Sequence, residues 1–488
     1  MDTTQSLGKG ARPSLLGGNL LLRTDSYKVS HWKQYPPGAQ TVYSYIESRG
    51  GPFSHGVFFG LQAWLREYLS RGFDAHDIDE AAEMFALHGE PFNRDGWSAM
   101  LAKHGGAMPV RIRAVAEGTV VPIRNAMLAI ENTDPEFYWV TSYLETELLR
   151  AVWYPTTVAT LSAACKAIIA RYLNATADDT AGQIGFKLHD FGARGASSME
   201  SAALGGLAHL VNFMGTDTVI ALSAARRYYD APMAGFSIPA AEHSTITSWG
   251  REHEVDAYRN MLKQFAKPGS VVAIVSDSYD IFKACESLWG GALREEVINS
   301  GATVVIRPDS GHPPEVVLKV AEILSARFGF TLNSKGFRVL NNVRIMQGDG
   351  ITIASLRECL SNLYHNGFSA ENIAFGMGGG LLQQVNRDTM QFAMKCSAMK
   401  IGDAWRDVFK SPIGDAGKNS KKGQVELFRD ADGKFVTHDR STEAAKACTS
   451  AFETVYENGA FAPSVSFDDV RSRAAVAIEI MEPEWRAL

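Results

Sequence analysis

Four apolar runs in the second half of the chain each stop at residues able to hold a charged ligand. VVAIVSDS runs into Asp277, ATVVIRPDS into Arg307 and Asp309, VRIMQGDG into Gly348 and Asp349, and NIAFGMGGG into Gly378, Gly379 and Gly380. Carboxylates, a guanidinium and a glycine nest in one place suit a phosphorylated ligand carrying magnesium, an ion held by one or two carboxylates together with waters and phosphate oxygens. A glycine-rich stretch between a strand and a helix lets backbone N–H groups approach an anion closely, and the helix N-terminus adds attraction. GMGGG is neither a Walker A loop, since no GK[ST] follows, nor a GxGxxG fingerprint. Plainer readings stand beside these: a tight turn at GMGGG, a helix N-cap at each aspartate, and an ion pair with a neighbouring aspartate for Arg307.

His243 lies in AAEHSTITSW after another apolar segment. With Glu242 beside it, its tautomer could be fixed and its nucleophilicity raised, although a lone histidine also serves structural ends. His189-Asp190 is equally ambiguous on pattern alone. The basic residues Lys410, Lys418, Lys421 and Lys422 read by themselves as a solvated charge run.

The elements that must carry these residues follow from periodicity. Helical stretches over 279–300, 313–329 and 354–366 separate the four apolar runs. Upstream, 186–192 and 235–243 read as strands, and 198–213 and 218–229 as helices. Repeated strand–helix units imply a parallel sheet, with ligands gathering at the carboxyl ends of its strands. Six or seven such strands suggest an irregular barrel. Before it, 41–49 reads as a strand. Residues 57–70 and 138–172 read as helices, the second broken near Pro155, and 108–132 as short strands turning at Glu117-Gly118 and Arg124-Asn125. After it, VELFRD and KFVTHD read as short strands beside a polar, basic loop at 415–424.

The 488 residues are enough for two domains or a barrel with additions. The expected division is a flexible tail over 1–19, a mainly α+β region over 20–184, the barrel over 185–390, and a segment over 391–488 that packs back on the first region. Apolar content of 45% and charged content of 21% are those of an ordinary soluble enzyme. A net charge of −6 argues against general nucleic-acid binding. Five scattered cysteines without a CxxC pair argue against a disulfide framework or structural zinc, and fit a reducing, cytoplasmic setting. No signal peptide and no membrane span are expected.

Taken in order, TDSYKVSHWKQYPPG, KLHDFGARGASS, HLVNFMGTDT, PAAEHSTITSWG, VSDSYDI, IRPDSG, QGDG and FGMGGGLLQ closely resemble the nicotinamide phosphoribosyltransferases, from about Leu20 to the end and including NSKKGQ. The resemblance implies a type II phosphoribosyltransferase fold: an irregular α/β barrel with an additional α+β domain formed from both chain ends. It implies condensation of nicotinamide with 5-phosphoribosyl-1-pyrophosphate to nicotinamide mononucleotide and pyrophosphate. It also implies magnesium, ATP hydrolysis coupled through a phosphohistidine, and a homodimer with sites at the interface.

Residue by residue, the same resemblance implies that Phe191 and a partner's Tyr27 sandwich the pyridine ring, with Arg194 and Ser237 lining the pocket. Asp217 would accept the carboxamide N–H and repel a carboxylate; its structural rival reading is an N-cap on the helix over 218–229, and the two roles are compatible. Arg307 would lie near base and ribose, and Gly348, Asp349, Gly378 and Gly379 would hold the ribose and its 5-phosphate. Asp277 and Asp309 would face the ribose hydroxyls or the metal, the latter through water. His243, backed by Glu242, would accept the phosphoryl group. Arg49, Arg387, Lys395, Lys410 and Lys418 match the family's phosphate-contacting cations. Ala193, Ala273 and Met377 depart from the family pattern around the tunnel. The rival readings are a nicotinate phosphoribosyltransferase, a non-catalytic binding protein on the same scaffold, and a metal-dependent phosphosugar hydrolase. Asp217 argues against the first, and the last would not need Asp217, Phe191 and Tyr27 together.

Overall fold

The computed structural model describes residues 18–411 and 419–481, so Lys418 and the stretch 1–17 lie outside the described residues. Its centre is a parallel sheet whose β-branched strands run in the order Gly215–Thr216, Leu188–Asp190, Ile373–Met377, Val343–Gln347, Thr303–Arg307 and Val271–Val275. The segment 236–240 joins its two edges, bridging Phe236 to Gly215 and Ala240 to Ala273. Phe236 N–H donates to the Met214 carbonyl (2.7 Å) and Thr216 N–H to Phe236 (3.1 Å). At the other edge Ala273 N–H donates to Pro239 (3.0 Å) and Ala241 N–H to Ala273 (2.9 Å). The sheet is thereby closed into an irregular barrel. The stretch 235–243 makes isolated bridges in place of a regular strand, and Pro239 has no N–H to give a ladder.

The pleat sorts each strand's side chains. Val272, Ile274, Val304, Ile306, Ile345 and Phe375 point outward and are buried in the main core. Ala273, Val305 and Met346 form a separate small cluster with Phe191, Ile238 and Ala374 inside the barrel. Most of the sequence-predicted helices appear with small shifts, among them Met199–Leu210, Val219–Tyr229, Pro313–Phe328 and Ile353–His365.

Three further expectations need correction. Residues 145–176 form one helix, Glu145–Thr176, that runs through Pro155. Pro155 is fully packed there, and Gly60, at φ 104°, makes room: a Cβ on it would sit 2.2 Å from the proline Cγ. Residues 279–300 split into Ile281–Lys283, a wider π-type stretch Ala284–Ala292, and Arg294–Ser300. Gly290 lies in the widened part, where a Cβ would meet the Arg327 side chain at 2.5 Å. Residues 57–70 begin as the end of the strand His55–Val57 and turn helical only at Leu61.

A second, antiparallel sheet draws on both ends of the chain, in the order Ala404–Asp407, Phe392–Ile401, Ala39–Ser48, Ala126–Asn132, Val110–Ala114, Glu453–Glu457 and Ala460–Phe461. The turns at 117–118 and 124–125 are present, with Gly118 at φ 89° and Arg124 at φ 66°. Val425–Arg429 and Phe435–Asp439 pair beside this sheet. The five cysteines are free thiols. Among the described residues no helix is long and apolar enough to cross a membrane.

Candidate active site

The carboxyl ends of the barrel strands bring most of the sequence-predicted site residues together. Phe191 follows Leu188–Asp190, and its N–H donates to the Met377 carbonyl (3.0 Å) on the neighbouring strand. Its ring lies against Gly376, where a Cβ would come 2.1 Å from the ring edge, and Gly348, where a Cβ would be 3.3 Å away. Sequence reasoning read Gly376 only as part of the GMGGG stretch and missed its place under the Phe191 ring. Its only signal was a glycine inside an apolar strand, which often marks a close approach. The Arg307 guanidinium carbon is 5.6 Å from the ring centroid. Arg307 Nη1 donates to the Ala241 carbonyl (3.2 Å), and Nη2 lies 3.8 Å from an Asp309 carboxylate oxygen. Arg307 Nε is buried without a protein partner.

Asp217 stands on the loop after Gly215–Thr216. It does not cap the next helix, whose N-cap is Thr218; its carboxylate instead accepts the Ser237 hydroxyl at 2.6 Å. Both residues are exposed, so the second carboxylate oxygen can meet a ligand. Arg194, on the turn Ala193–Gly195, is exposed three residues after Phe191.

None of the three strand-end aspartates caps its following helix. Asp280, His312 and Thr352 occupy those positions, and this leaves Asp277, Asp309 and Asp349 for other work. They share one electrostatic environment. Burial pushes the Asp309 carboxyl above its usual range, Arg307 and His243 oppose this, and the charges of Asp277 and Asp349 reinforce it. His243 Nε2 is 3.0 Å from Asp277 Oδ1. Glu242, expected to back His243, accepts instead from the Ser244 hydroxyl, because it precedes the short helix His243–Thr247 and turns onto its first turn. Asp277 arrives from the adjacent strand and takes that role.

Gly378 sits at the N-cap of the four-residue helix Gly379–Leu382. The turn after Phe191 packs against it: a Cβ on Gly192 would be 3.0 Å from the Gly378 carbonyl oxygen. Met377 is buried on this strand, whereas Ala273 faces the barrel interior. Among the described residues no group of three or more His, Cys, Asp or Glu forms a metal cage. One or two carboxylates completed by waters and a ligand's own phosphates remain the donor set that fits this rim.

Of the expected phosphate-contacting cations, Lys395 lies on the strand Phe392–Ile401 of the antiparallel sheet and Arg49 directly follows the strand Ala39–Ser48. Burial pulls the Lys395 pKa down, Glu145 counteracts this, and Arg49, Lys28 and Lys410 add repulsion. Tyr27 is exposed on the segment Ser26–Lys33, which also carries Lys28. Arg387 is exposed and paired with Asp388 at 2.7 Å.

Comparison with known proteins bears on the family and the fold. The family model described as the nicotinate phosphoribosyltransferase family matches residues 186–459, and that of the nicotinamide phosphoribosyltransferase N-terminal domain matches 19–112. The chain is 56% identical to a nicotinamide phosphoribosyltransferase of Xanthomonas campestris pv. campestris over 94% of its length and 98% of the relative. It is 30% identical to one from Acinetobacter baylyi, again over 94% and 98%. In fold it is similar to a Pyrococcus furiosus nicotinate-nucleotide pyrophosphorylase (TM-score 0.59, 15% identity, 97% and 99% covered). Human nicotinic acid phosphoribosyltransferase is also similar (TM-score 0.56, 16% identity, 93% of each chain). The chain therefore belongs to the nicotinate phosphoribosyltransferase family and carries the nicotinamide phosphoribosyltransferase N-terminal domain.

Proposed function

We propose that this enzyme condenses nicotinamide with 5-phosphoribosyl-1-pyrophosphate to give nicotinamide mononucleotide and pyrophosphate, in NAD salvage in the cytoplasm. The carrying observation is the placement of the Phe191 ring, the Asp217–Ser237 pair and Arg307 around one barrel mouth, beside three carboxylates that cap nothing.

The chemistry follows from these parts. Phe191 stacks on one face of the pyridine, an arrangement suited to a flat, nearly neutral heterocycle. Asp217 accepts the carboxamide N–H while Ser237 holds its other oxygen. A nicotinate carboxylate would lose that bond and meet a like charge; loss of a charged hydrogen bond alone costs about 1.5–3 kcal/mol. The ring nitrogen attacks the anomeric carbon as the bond to pyrophosphate breaks, and the electron pair leaves with the pyrophosphate oxygen. Asp277, Asp309 and Asp349 line the side where ribose hydroxyls and a metal would lie, and magnesium when bound would neutralise the departing charge. Gly348, Gly378 and Gly379 leave backbone open to the ribose 5-phosphate.

ATP hydrolysis is coupled through phosphorylation of His243, whose imidazole Asp277 orients. A homodimer would bring Tyr27 of one subunit over the base bound by the other, with Arg49, Lys395, Lys410, Lys418 and Arg387 meeting phosphates near the interface. The exposed apolar residues Tyr27, Met199 and Val219 support this reading.

The test is pyrophosphate release by the purified chain with 5-phosphoribosyl-1-pyrophosphate and magnesium, offered nicotinamide or nicotinate, with and without ATP. Faster release with nicotinamide, enhanced by ATP, is the expected result. Preference for nicotinate would overturn the assignment of Asp217, and no release with either base would overturn the activity.

A further inference from the structure

Asp190 is a carboxylate directly behind the base pocket, with no part in the chemistry above. Its residue is fully buried, and the pleat points it out of the barrel, toward the helix Met199–Leu210. There Gly206 makes room: a Cβ on it would stand 2.9 Å from Asp190 Oδ2. Burial pushes this carboxyl's pKa up, and the Asp217 charge adds to the effect. An ionisable group in such a place is costly unless it is well hydrogen-bonded.

Its bonds run to both walls of the pocket. Oδ1 accepts the Gly192 N–H at 2.7 Å, which fixes the turn directly after Phe191. Oδ2 accepts the Thr216 hydroxyl at 3.3 Å, and that hydroxyl in turn accepts the Thr218 N–H at 3.0 Å, so residues on both sides of Asp217 are held. The Asp190 carbonyl accepts the Asp217 N–H at 2.9 Å. The buried Thr218 hydroxyl has no well-aligned partner, although its proximity favours the charged carboxylate.

We propose that Asp190 is a positioning residue for the base: one buried carboxylate, through Gly192 and Thr216, sets the spacing between the stacking ring of Phe191 and the amide acceptor Asp217. This rests on the base-pocket reading of those two residues. A stack and a hydrogen bond must be satisfied together, so a small displacement of either weakens binding of the base and leaves the phosphate-bearing substrate untouched.

The test uses full-length Asp190→Asn, Thr216→Val and Thr216→Ser, with Phe191→Ala and Asp217→Asn as references. Steady-state kinetics, active-site titre and thermal midpoint are measured for each. The expected result is a rise of about tenfold in KM for nicotinamide in Asp190→Asn and Thr216→Val, with KM for 5-phosphoribosyl-1-pyrophosphate unchanged and Thr216→Ser restored to near the parent. A lowered titre or midpoint with an unchanged nicotinamide KM would overturn the proposal by reducing Asp190 to a structural group. If Asp190→Asn does not fold, the contrast of valine and serine at 216 decides alone. Unchanged nicotinamide KM in both reference variants would overturn the pocket reading itself. Raised KM in the references but not in the Asp190 and Thr216 variants would overturn only the positioning role.

Discussion

His243 presents Nε2 to Oδ1 of Asp277 at 3.0 Å, with nearly half of the imidazole side chain exposed (46%) and the carboxylate side chain almost fully enclosed (4%). A carboxylate accepts, so the hydrogen of this pair sits on Nε2, and the neutral form of the imidazole then has its lone pair on Nδ1. On the proposed coupling through His243, Nδ1 would be the atom that takes the phosphoryl group. His243→Ala should abolish ATP hydrolysis and its stimulation of product formation, while a slower ATP-independent reaction persists. Asp277→Asn should cut phosphohistidine formation by about tenfold to a hundredfold, because the wrong tautomer becomes accessible. Acid-labile phosphate on the protein after incubation with ATP is the readout, and full labelling of His243→Ala would remove His243 from the mechanism.

On the proposed reading, the choice of amide over acid rests on Asp217. Asp217→Asn should raise KM for nicotinamide by about tenfold or more and narrow its advantage over nicotinate, since both the charged acceptor and the repulsion are lost. Competition between the two bases in one reaction measures the ratio. An unchanged ratio would move selectivity elsewhere in the pocket.

Tyr27 lies on the segment Ser26–Lys33 and Lys395 on the antiparallel sheet, while Asp309 lies at the barrel rim. If each site is shared between two subunits, Tyr27→Ala and Asp309→Ala proteins should each be weak alone. Mixed and allowed to exchange, they should regain about a quarter of parental activity, as random pairing restores one intact site in half of the dimers. No recovery, with exchange shown by mass, would place both residues in the same subunit's site.

Asp309 also ties stability to pH. Its folded pKa is raised above the ordinary 3.8 by burial and by the neighbouring carboxylates. The folded state therefore binds its proton more tightly than the unfolded state does. The resulting stabilisation is fully present below the ordinary value and is lost as pH rises through the raised one. Asp309→Asn should thus melt about one to two degrees higher than the parent near neutral pH, with the gain vanishing below pH about 4, while activity falls steeply. Calorimetry from acid to neutral pH checks it, and an equal difference at every pH would contradict the linkage.

The sequence by itself determined most of the barrel strands and most of the helices between them, and the type of residue at each strand end. Apolar runs with glycine or aspartate stops are local signals, and they place Asp277, Arg307, Asp309, Asp349 and Gly378 at strand ends without any knowledge of neighbours. Only the tertiary structure decided what these residues do to one another. It showed the aspartates not to be caps, since Asp280, His312 and Thr352 hold those positions. It gave His243 to Asp277 and not to Glu242, because strands far apart in sequence lie side by side in the barrel. It closed the barrel through 236–240, carried a helix across Pro155, and set the Phe191 ring on Gly376. Register and close approach between distant segments depend on packing over the whole chain, which no window of local sequence contains.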